Sequence, residues 1–181
     1  SENVLKIDGY NGSAVFAEAM GSSFTVEVSG TNTMTQLYSL SGEYNASVTI
    51  SGTGTLNLTG TDSKEGLLVR AQGTDTQLVI EDGVNLNIGA GSGKSAVKVV
   101  DSSNPEPIKI GANEDLNGAK IVVVETSGED GETLYTAEIK SQDVKITYKK
   151  PAVKEETPKA GKTSVSKLAS SKAKSLTVTL K

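Results

Sequence analysis

The 181-residue sequence contains neither cysteine nor histidine. The chain can therefore form no disulfide and offers no thiol nucleophile, and it lacks the usual nitrogen and sulfur ligands of zinc. Histidine is also the most frequent general base in enzymes. We therefore expect no metal site, no cofactor and no catalytic residue, and hence a protein that is not an enzyme, with calcium at a turn such as residues 81–83 left open.

Aromatic residues and long apolar runs are scarce as well. The chain has two Phe, five Tyr and no Trp, and no apolar run approaches the ~20 residues that a membrane helix needs. Thr, Val and Ile occupy most of the apolar and semi-polar positions, which favours strands over helices. The composition predicts an all-β fold and no direct membrane insertion.

Charge is divided unevenly along the chain. Residues 1–148 hold nine Lys and Arg against twenty acids, a balance of −11, and residues 149–181 hold nine Lys against two Glu, a balance of +7. The two balances agree with the net charge of −4. An acidic body repels nucleic acid, so we expect no nucleic-acid partner.

A repeat of 30 residues runs through the middle of the sequence. Residues 48–50 (Val-Thr-Ile) recur as residues 78–80 (Leu-Val-Ile), and residues 56–58 (Leu-Asn-Leu) recur as residues 86–88 (Leu-Asn-Ile). In the same way, Leu67 and Val69 correspond to Val97 and Val99. Repeats of this length are typical of solenoid proteins, in which each unit stacks on the next.

Less regular copies flank these units. Residues 28–34 resemble residues 50–56 at a shift of 22, and residues 108–110 and 116–117 continue the 30-residue register as a partial third copy. The copies predict an inward column of Leu56, Leu86 and Leu116.

Three short runs with alternating polarity make up each unit, at residues 47–51, 55–59 and 66–71, with turn signals between them. Three strands per repeat predict a right-handed parallel β-helix of roughly five coils with capped ends. The alternation places Val48, Ile50, Leu56, Leu58 and Leu67 inward, and Thr49, Asn57 and Thr59 outward. The alternative is an antiparallel β-sandwich, which also has short strands and regular turns.

The sequence suggests three segments. Residues 1–148 are the expected β-helix domain, with a short helix or irregular cap at residues 14–20 and a closing hairpin of residues 135–139 and 144–148. Residues 149–163 form a linker containing Pro and Lys, and residues 164–181 an isolated strand of a truncated following domain. We expect strand 176–180 either to dock on a sheet edge of its own or a neighbouring chain, or to begin a domain that this chain lacks.

Two stretches carry a resemblance. Residues 52–58 and 66–71 resemble the β-helical repeats of secreted surface proteins in Gram-positive gut bacteria, and residues 162–180 are similar to the first strand of bacterial fibronectin type III modules. The resemblance implies an extracellular, secreted or wall-attached protein with a role in adhesion, glycan binding or spacing. Its implied partners are an extracellular glycan or a host surface protein, and it transfers no catalytic residue.

The candidate ligand-binding residues begin with Asn57, Asn87 and Asn117, which share one repeat position. Such a column is either a row of amides for an extended glycan or a ladder in which the amides bond one another. Arg70, the only arginine, and two tyrosines, Tyr38 and Tyr44, complete the candidate set.

A second hypothesis is a carbohydrate-active enzyme of the β-helix class, a polysaccharide lyase or glycoside hydrolase. It requires Arg70, Lys64 or Lys98 within reach of two or more carboxylates in one groove. The candidate carboxylates are Asp62, Glu65, Asp75, Glu81, Asp82 and Asp101. The sequence favours an interpretation of these groups as solvated charges on the outer face.

Overall fold

The computed structural model describes residues 3–17, 23–41, 47–61, 63–71 and 77–152, and in these ranges the chain forms sixteen strands and no helix. The strands are β1 (Asn3–Asp8), β2 (Val15–Ala17), β3 (Phe24–Ser29), β4 (Thr31–Met34), β5 (Leu37–Ser41), β6 (Val48–Gly52), β7 (Thr55–Leu58), β8 (Leu67–Ala71), β9 (Leu78–Ile80), β10 (Asn85–Gly89), β11 (Val97–Ser102), β12 (Ile108–Ile110), β13 (Glu114–Asp115), β14 (Val122–Ser127), β15 (Thr133–Ile139) and β16 (Asp143–Tyr148). The predicted all-β class is confirmed.

The chain divides into two compact units, residues 1–151 and 152–181. All sixteen described strands belong to the first unit. The predicted strand at residues 176–180, and most of the predicted linker, lie outside the described residues.

Three sheets organise the first unit. The first sheet has the order β1-β3-β6-β9-β12, and all its neighbours are parallel. The second has the order β13-β16-β10-β7-β4, and the third β14-β15-β11-β8-β5-β2. In the second and third sheets the parallel strands are followed by two antiparallel ones, so these sheets are mixed.

The 30-residue register predicted from the repeat is confirmed in all three sheets. Val48 pairs with Leu78, Leu56 with Leu86, and Leu67 with Val97. The partial third copy keeps this register at Ile108, which pairs with Leu78. Equivalent residues of successive repeats therefore lie side by side.

The shift of 22 residues predicted for the upstream copy is wrong. Val26 pairs with Ile50 and Met34 pairs with Leu58, a shift of 24. Both shifts are even, and an even shift keeps every side chain on the same face of its sheet. The hydrophobic pattern therefore could not distinguish a shift of 22 residues from a shift of 24. In the third sheet Leu37 pairs with Leu67 at a shift of 30, because the connection from β7 to β8 is six residues longer than that from β4 to β5.

Alternation along the strands sets the core, as predicted. Val48, Ile50, Leu56, Leu58 and Leu67 are all buried, and they belong to one continuous cluster that receives side chains from all three sheets. Thr49 and Asn57 are half-buried and Thr59 is exposed. At about 25 cal/mol per Å² of apolar surface, a fully buried Leu or Ile contributes roughly 1.5–3 kcal/mol. Stacking of these side chains therefore holds the unit together.

The predicted column of Leu56, Leu86 and Leu116 is correct for the first two residues, which pair with each other, and wrong for Leu116. The next neighbour of β10 is the antiparallel strand β16, and Leu86 pairs there with Ile146. Leu116 is partly buried against the core and lies just after the two-residue strand β13. A later part of the chain has taken the place of the third copy, because Val144 and Ile146 supply the inward apolar side chains that the partial copy lacks.

Both predicted end structures also differ. The strands at residues 135–139 and 144–148 do not pair with each other, because β15 joins the third sheet and β16 the second. The hairpin at this end is instead β14 with β15. At the other end, the stretch predicted as a helix or irregular cap contains β2, which pairs in parallel with β5. Val15 here continues the aliphatic row formed by Leu37, Leu67 and Val97.

Candidate functional site

The outer face of the third sheet carries a row of four neighbouring side chains. Tyr38, Leu68, Lys98 and Glu138 stand on four adjacent strands and pair in register from one strand to the next. At ~4.8 Å between strands, the row spans roughly 14 Å. Because inward residues alternate with outward ones, Val97 and Val99 on either side of Lys98 are buried. We call this surface, with the neighbouring Arg70, Lys94, Glu65, Asp101 and Lys140, the charged face.

Two ion pairs organise the charged face. Lys98 Nζ lies 2.7 Å from Glu138 Oε1, and Lys94 Nζ lies 3.8 Å from Glu65 Oε1. The hydrogen bond from Lys98 lowers the pKa of the Glu138 carboxyl, with further help from the charge of Lys140. Glu138 is therefore held ionised, which suits an acceptor of hydrogen bonds rather than a proton donor.

Two open depressions lie on this face. One of about 440 Å³ is lined by Glu65, Gly93, Lys94, Ser95, Lys98, Glu138, Lys140 and Gln142. The other, of about 330 Å³, is lined by Glu65, Leu68, Arg70, Lys98, Val100 and Asp101. Glu65 and Lys98 line both, so the depressions adjoin. Among the described residues, neither Arg70 nor Lys140 belongs to an ion pair.

A β-bulge shapes the second depression. The pairing of β11 with β15 shifts register between Val99 and Ser102, and Asp101 has a φ of 59°. Bulges of this kind bend the strand and redirect a side chain. Asp101 consequently lines the same depression as Arg70.

The asparagine column lies on the second sheet. Asn87 Nδ2 donates to Asn57 Oδ1 at 2.8 Å, and Asn57 Nδ2 donates to the carbonyl of Asn32 at 3.1 Å and to Thr33 Oγ1 at 3.3 Å. The bond between Asn87 and Asn57 joins two side-chain amides, which is what the ladder interpretation predicts, whereas Asn57 continues to a backbone carbonyl and a hydroxyl. Asn117 is not the third member, because Lys145 pairs with Asn87 in its place.

The side chain of Asn117 instead forms hydrogen bonds with β16. Its Nδ2 donates to the carbonyl of Lys145 and to Thr147 Oγ1, both at 3.0 Å. Its φ of 50° is a conformation that Asn tolerates better than most residues. Asn117 therefore fixes a turn against β16.

The remaining predicted residues are distributed as follows. Arg70 is exposed and pairs with Val100, and the structure brings it together with Lys98 around one depression. Glu81 and Asp82 line a separate depression of about 410 Å³. Tyr44, Asp62 and Asp75 lie outside the residues for which side chains are described.

Sequence reasoning missed Lys94, Glu138 and Lys140 as members of the charged face. Glu138 reaches Lys98 only because β15 pairs antiparallel with β11. An alternating strand pattern contains no signal for its partner strand, so the charge of Glu138 was the only available hint.

Two acidic side chains, Asp82 and Glu114, lie close together at the turn after β9. Glu114 Oε1 accepts a hydrogen bond from the Gly83 amide at 2.8 Å, whereas its Oε2 is buried without a partner among the described residues. Burial raises the pKa of this carboxyl, and the nearby charge of Asp82 raises it further. Asp82 itself accepts from the amide and the side chain of Asn113. In the described part of the chain, no group of three or more acidic residues is placed to hold a metal ion.

Comparison of the chain with protein-family models, with curated proteins and with solved structures finds no match. Within the described ranges, no helix is long and apolar enough to cross a membrane. Fold and site together define an all-β protein of parallel and mixed sheets with a charged outer face.

Proposed function

We propose that the three sheets wind as a right-handed parallel β-helix, in which each repeat contributes one strand to each sheet. The support is the cycling of β6, β7 and β8, and then β9, β10 and β11, through the first, second and third sheets in turn. Consecutive strands of an antiparallel sandwich more often pair directly through hairpins. The antiparallel strands β15 and β16 then close the last coil.

The function that this geometry supports best is non-catalytic glycan binding by an extracellular surface module, with the charged face as the binding surface. The observation that carries the proposal is the grouping of Arg70, Lys98, Glu65 and Asp101 around one open depression on a sheet. Such a face presents both donors and acceptors to sugar hydroxyls. The resemblances of residues 52–58 and 66–71 and of residues 162–180 support the proposed secreted or wall-attached location and the proposed role in adhesion or spacing.

Five residues of the charged face have specific parts in this proposal. The ion pair with Glu138 holds the Lys98 side chain in place, which limits the entropy that binding would cost. Arg70 and Lys140 remain available to donate hydrogen bonds to a ligand. Tyr38, at the end of the row, supplies a ring on which a sugar can stack.

The test is binding of the full chain to an array of extracellular glycans, followed by titration of any glycan found. Arg70→Ala should weaken binding by at least roughly tenfold, the change expected for loss of a charge-assisted hydrogen bond. Lys109→Ala is the matched control, because Lys109 is an exposed base on the first sheet. Equal losses for the two variants, or no glycan bound, would contradict the proposed site. A host-protein pull-down would then test adhesion, and a negative result there would leave spacing.

The second candidate is a carbohydrate-active enzyme of the β-helix class. The observation that favours it is that Arg70 and Lys98 lie in one depression with two carboxylates, as that hypothesis requires. Against it, the hydrogen bond from Lys98 lowers the pKa of the Glu138 carboxyl, so this carboxylate is not poised to donate a proton near neutral pH. Incubation with pectins and glycosaminoglycans separates the two candidates, since only the enzyme yields a product that Arg70→Ala abolishes.

A further inference from the structure

Strand β14 is an exposed edge of the six-stranded third sheet. It pairs along its whole length with β15, and in the described part of the chain nothing pairs with its other side. All six of its residues are exposed, including three consecutive valines: Val122 at 39%, Val123 at 43% and Val124 at 48%. Edges of this kind are templates for an added strand, and proteins usually protect them with Pro, Lys or a bulge. β14 contains none of these.

The surroundings of this edge are acidic. Glu125 lies within the strand, and the turn that follows carries Glu129, Asp130 and Glu132, all exposed. Pairing β14 with β14 of another molecule would bring these acidic turns and two strongly acidic bodies towards each other, which charge repulsion opposes. A basic strand is the complementary occupant.

The chain itself contains such a strand sequence. Residues 176–180 read Leu-Thr-Val-Thr-Leu, with aliphatic side chains at alternate positions, and Lys172, Lys174 and Lys181 flank them. The segment lies outside the described residues, and the balance of +7 in residues 149–181 is opposite in sign to that of residues 1–148.

We propose that β14 accepts residues 176–180 of a second copy of this chain as a seventh strand of the third sheet. Backbone hydrogen bonds provide the pairing, as in other cases of strand addition, and the alternate aliphatic side chains lie beside Val123, on the face of the sheet that also carries Ala137. The flanking lysines meet the acidic turn. Because an edge on one copy meets a tail on another, the contact is heterologous and generates chains or rings rather than a symmetric pair.

Cysteine cross-linking tests the contact directly, because the chain has no cysteine of its own. The 181-residue Val123→Cys chain is mixed under oxidising conditions with the isotopically labelled 181-residue Val178→Cys chain. The expected product is the disulfide between positions 123 and 178, in roughly tenfold excess over the product formed when Val4→Cys replaces Val123→Cys. Val4 is the matched control, because it is 39% exposed on β1, the edge strand of the first sheet.

Association of the full chain gives the second measurement. Sedimentation over a dilution series should show oligomers whose association constant falls by roughly tenfold or more for Val123→Lys, which places a charge on the edge. Val178→Lys should have the same effect and Thr177→Lys a smaller one, since positions 177 and 178 would lie on opposite faces of an added strand. Added salt should weaken the association.

Three outcomes would overturn the proposal. A chain that stays monomeric throughout the dilution series has no second-copy contact. A dominant disulfide between two copies of position 123 would show that β14 pairs with itself. Equal cross-linking to positions 123 and 4 would show that the tail has no preferred edge.

Discussion

Asn87 donates a hydrogen bond from its side-chain amide to the side-chain oxygen of Asn57, one 30-residue repeat earlier, at 2.8 Å. Asn57 in turn donates a hydrogen bond from its side-chain amide to the backbone carbonyl of Asn32. The outer face of the second sheet is thus tied together along the direction in which the strands are added.

A double-mutant cycle should detect this ladder. Replacing Asn57 and Asn87 by Ala, singly and together, should give a coupling free energy of about 0.5–1.5 kcal/mol, the net contribution of one hydrogen bond. Urea unfolding provides the four free energies. Asn87 combined with Thr25, which lies on the first sheet, is the control pair and should be additive. A coupling no larger than in the control would show that the bond contributes nothing to stability.

Gly52 should be the least replaceable glycine of the repeat. Its φ is 111°, and a Cβ at this position would collide with the backbone carbonyl of Val28 on the neighbouring strand. Gly52→Ala should destabilise the fold by roughly 3 kcal/mol or more, because the backbone is strained and the neighbouring strand cannot move away. Thermal or urea unfolding measures the loss.

Substitution of Gly93 distinguishes the cost of backbone strain from the cost of collision with a neighbouring strand. Its φ is 72°, and a Cβ added at this position would meet no atom within 4 Å, so Gly93→Ala carries conformational strain alone. Its cost should be about 1–2 kcal/mol. If Gly52→Ala cost no more than this, close packing of adjacent strands at Gly52 would be refuted.

The apolar columns predict different costs for two leucines that occupy equivalent places in the repeat. Leu86 is fully buried between Leu56 and Ile146, so Leu86→Ala should cost about 2–5 kcal/mol. Leu116 only packs against the rim of the core, and Leu116→Ala should cost less than about 1.5 kcal/mol. Equal losses in urea unfolding would restore the column of three leucines that the sequence suggested.

Glu114 should make stability depend on pH. Burial raises the pKa of its carboxyl above the ordinary value of 4.5, so between that value and the raised one the folded chain binds more protons than the unfolded chain. Its contribution to stability therefore falls as pH rises through this range. Glu114→Gln keeps an acceptor for the Gly83 amide and removes the repulsion from Asp82.

The Gln variant should consequently have a higher Tm than the parent at neutral pH, and the difference should vanish as the pH falls below the ordinary carboxyl pKa. Melting curves between about pH 4 and about pH 8 measure the effect. Glu106→Gln removes the same charge from an exposed position and is the control. A variant that melts below the parent at neutral pH would show that the Glu114 charge is stabilised rather than penalised.

Local periodicity in the sequence determined the strands and their facing. Alternation at Val48 and Ile50, and at Leu56 and Leu58, identified the side chains that form the core, and the 30-residue repeat identified their neighbours in the parallel sheets. These features depend on residues close in the chain or on copies of one another, so the pattern contains them.

Tertiary structure alone decided how the ends close and where charges meet. The pairing of Leu86 with Ile146, and of Lys98 with Glu138, joins segments that are not copies, and any even shift of an alternating strand keeps its apolar side chains inward. The sequence therefore left several partners equivalent for β15 and β16. The observed pairing is the one that buries Val144 and Ile146 of β16 and Ala137 and Ile139 of β15 in the core. The same pairing places Glu138 beside Lys98 and so forms the charged face.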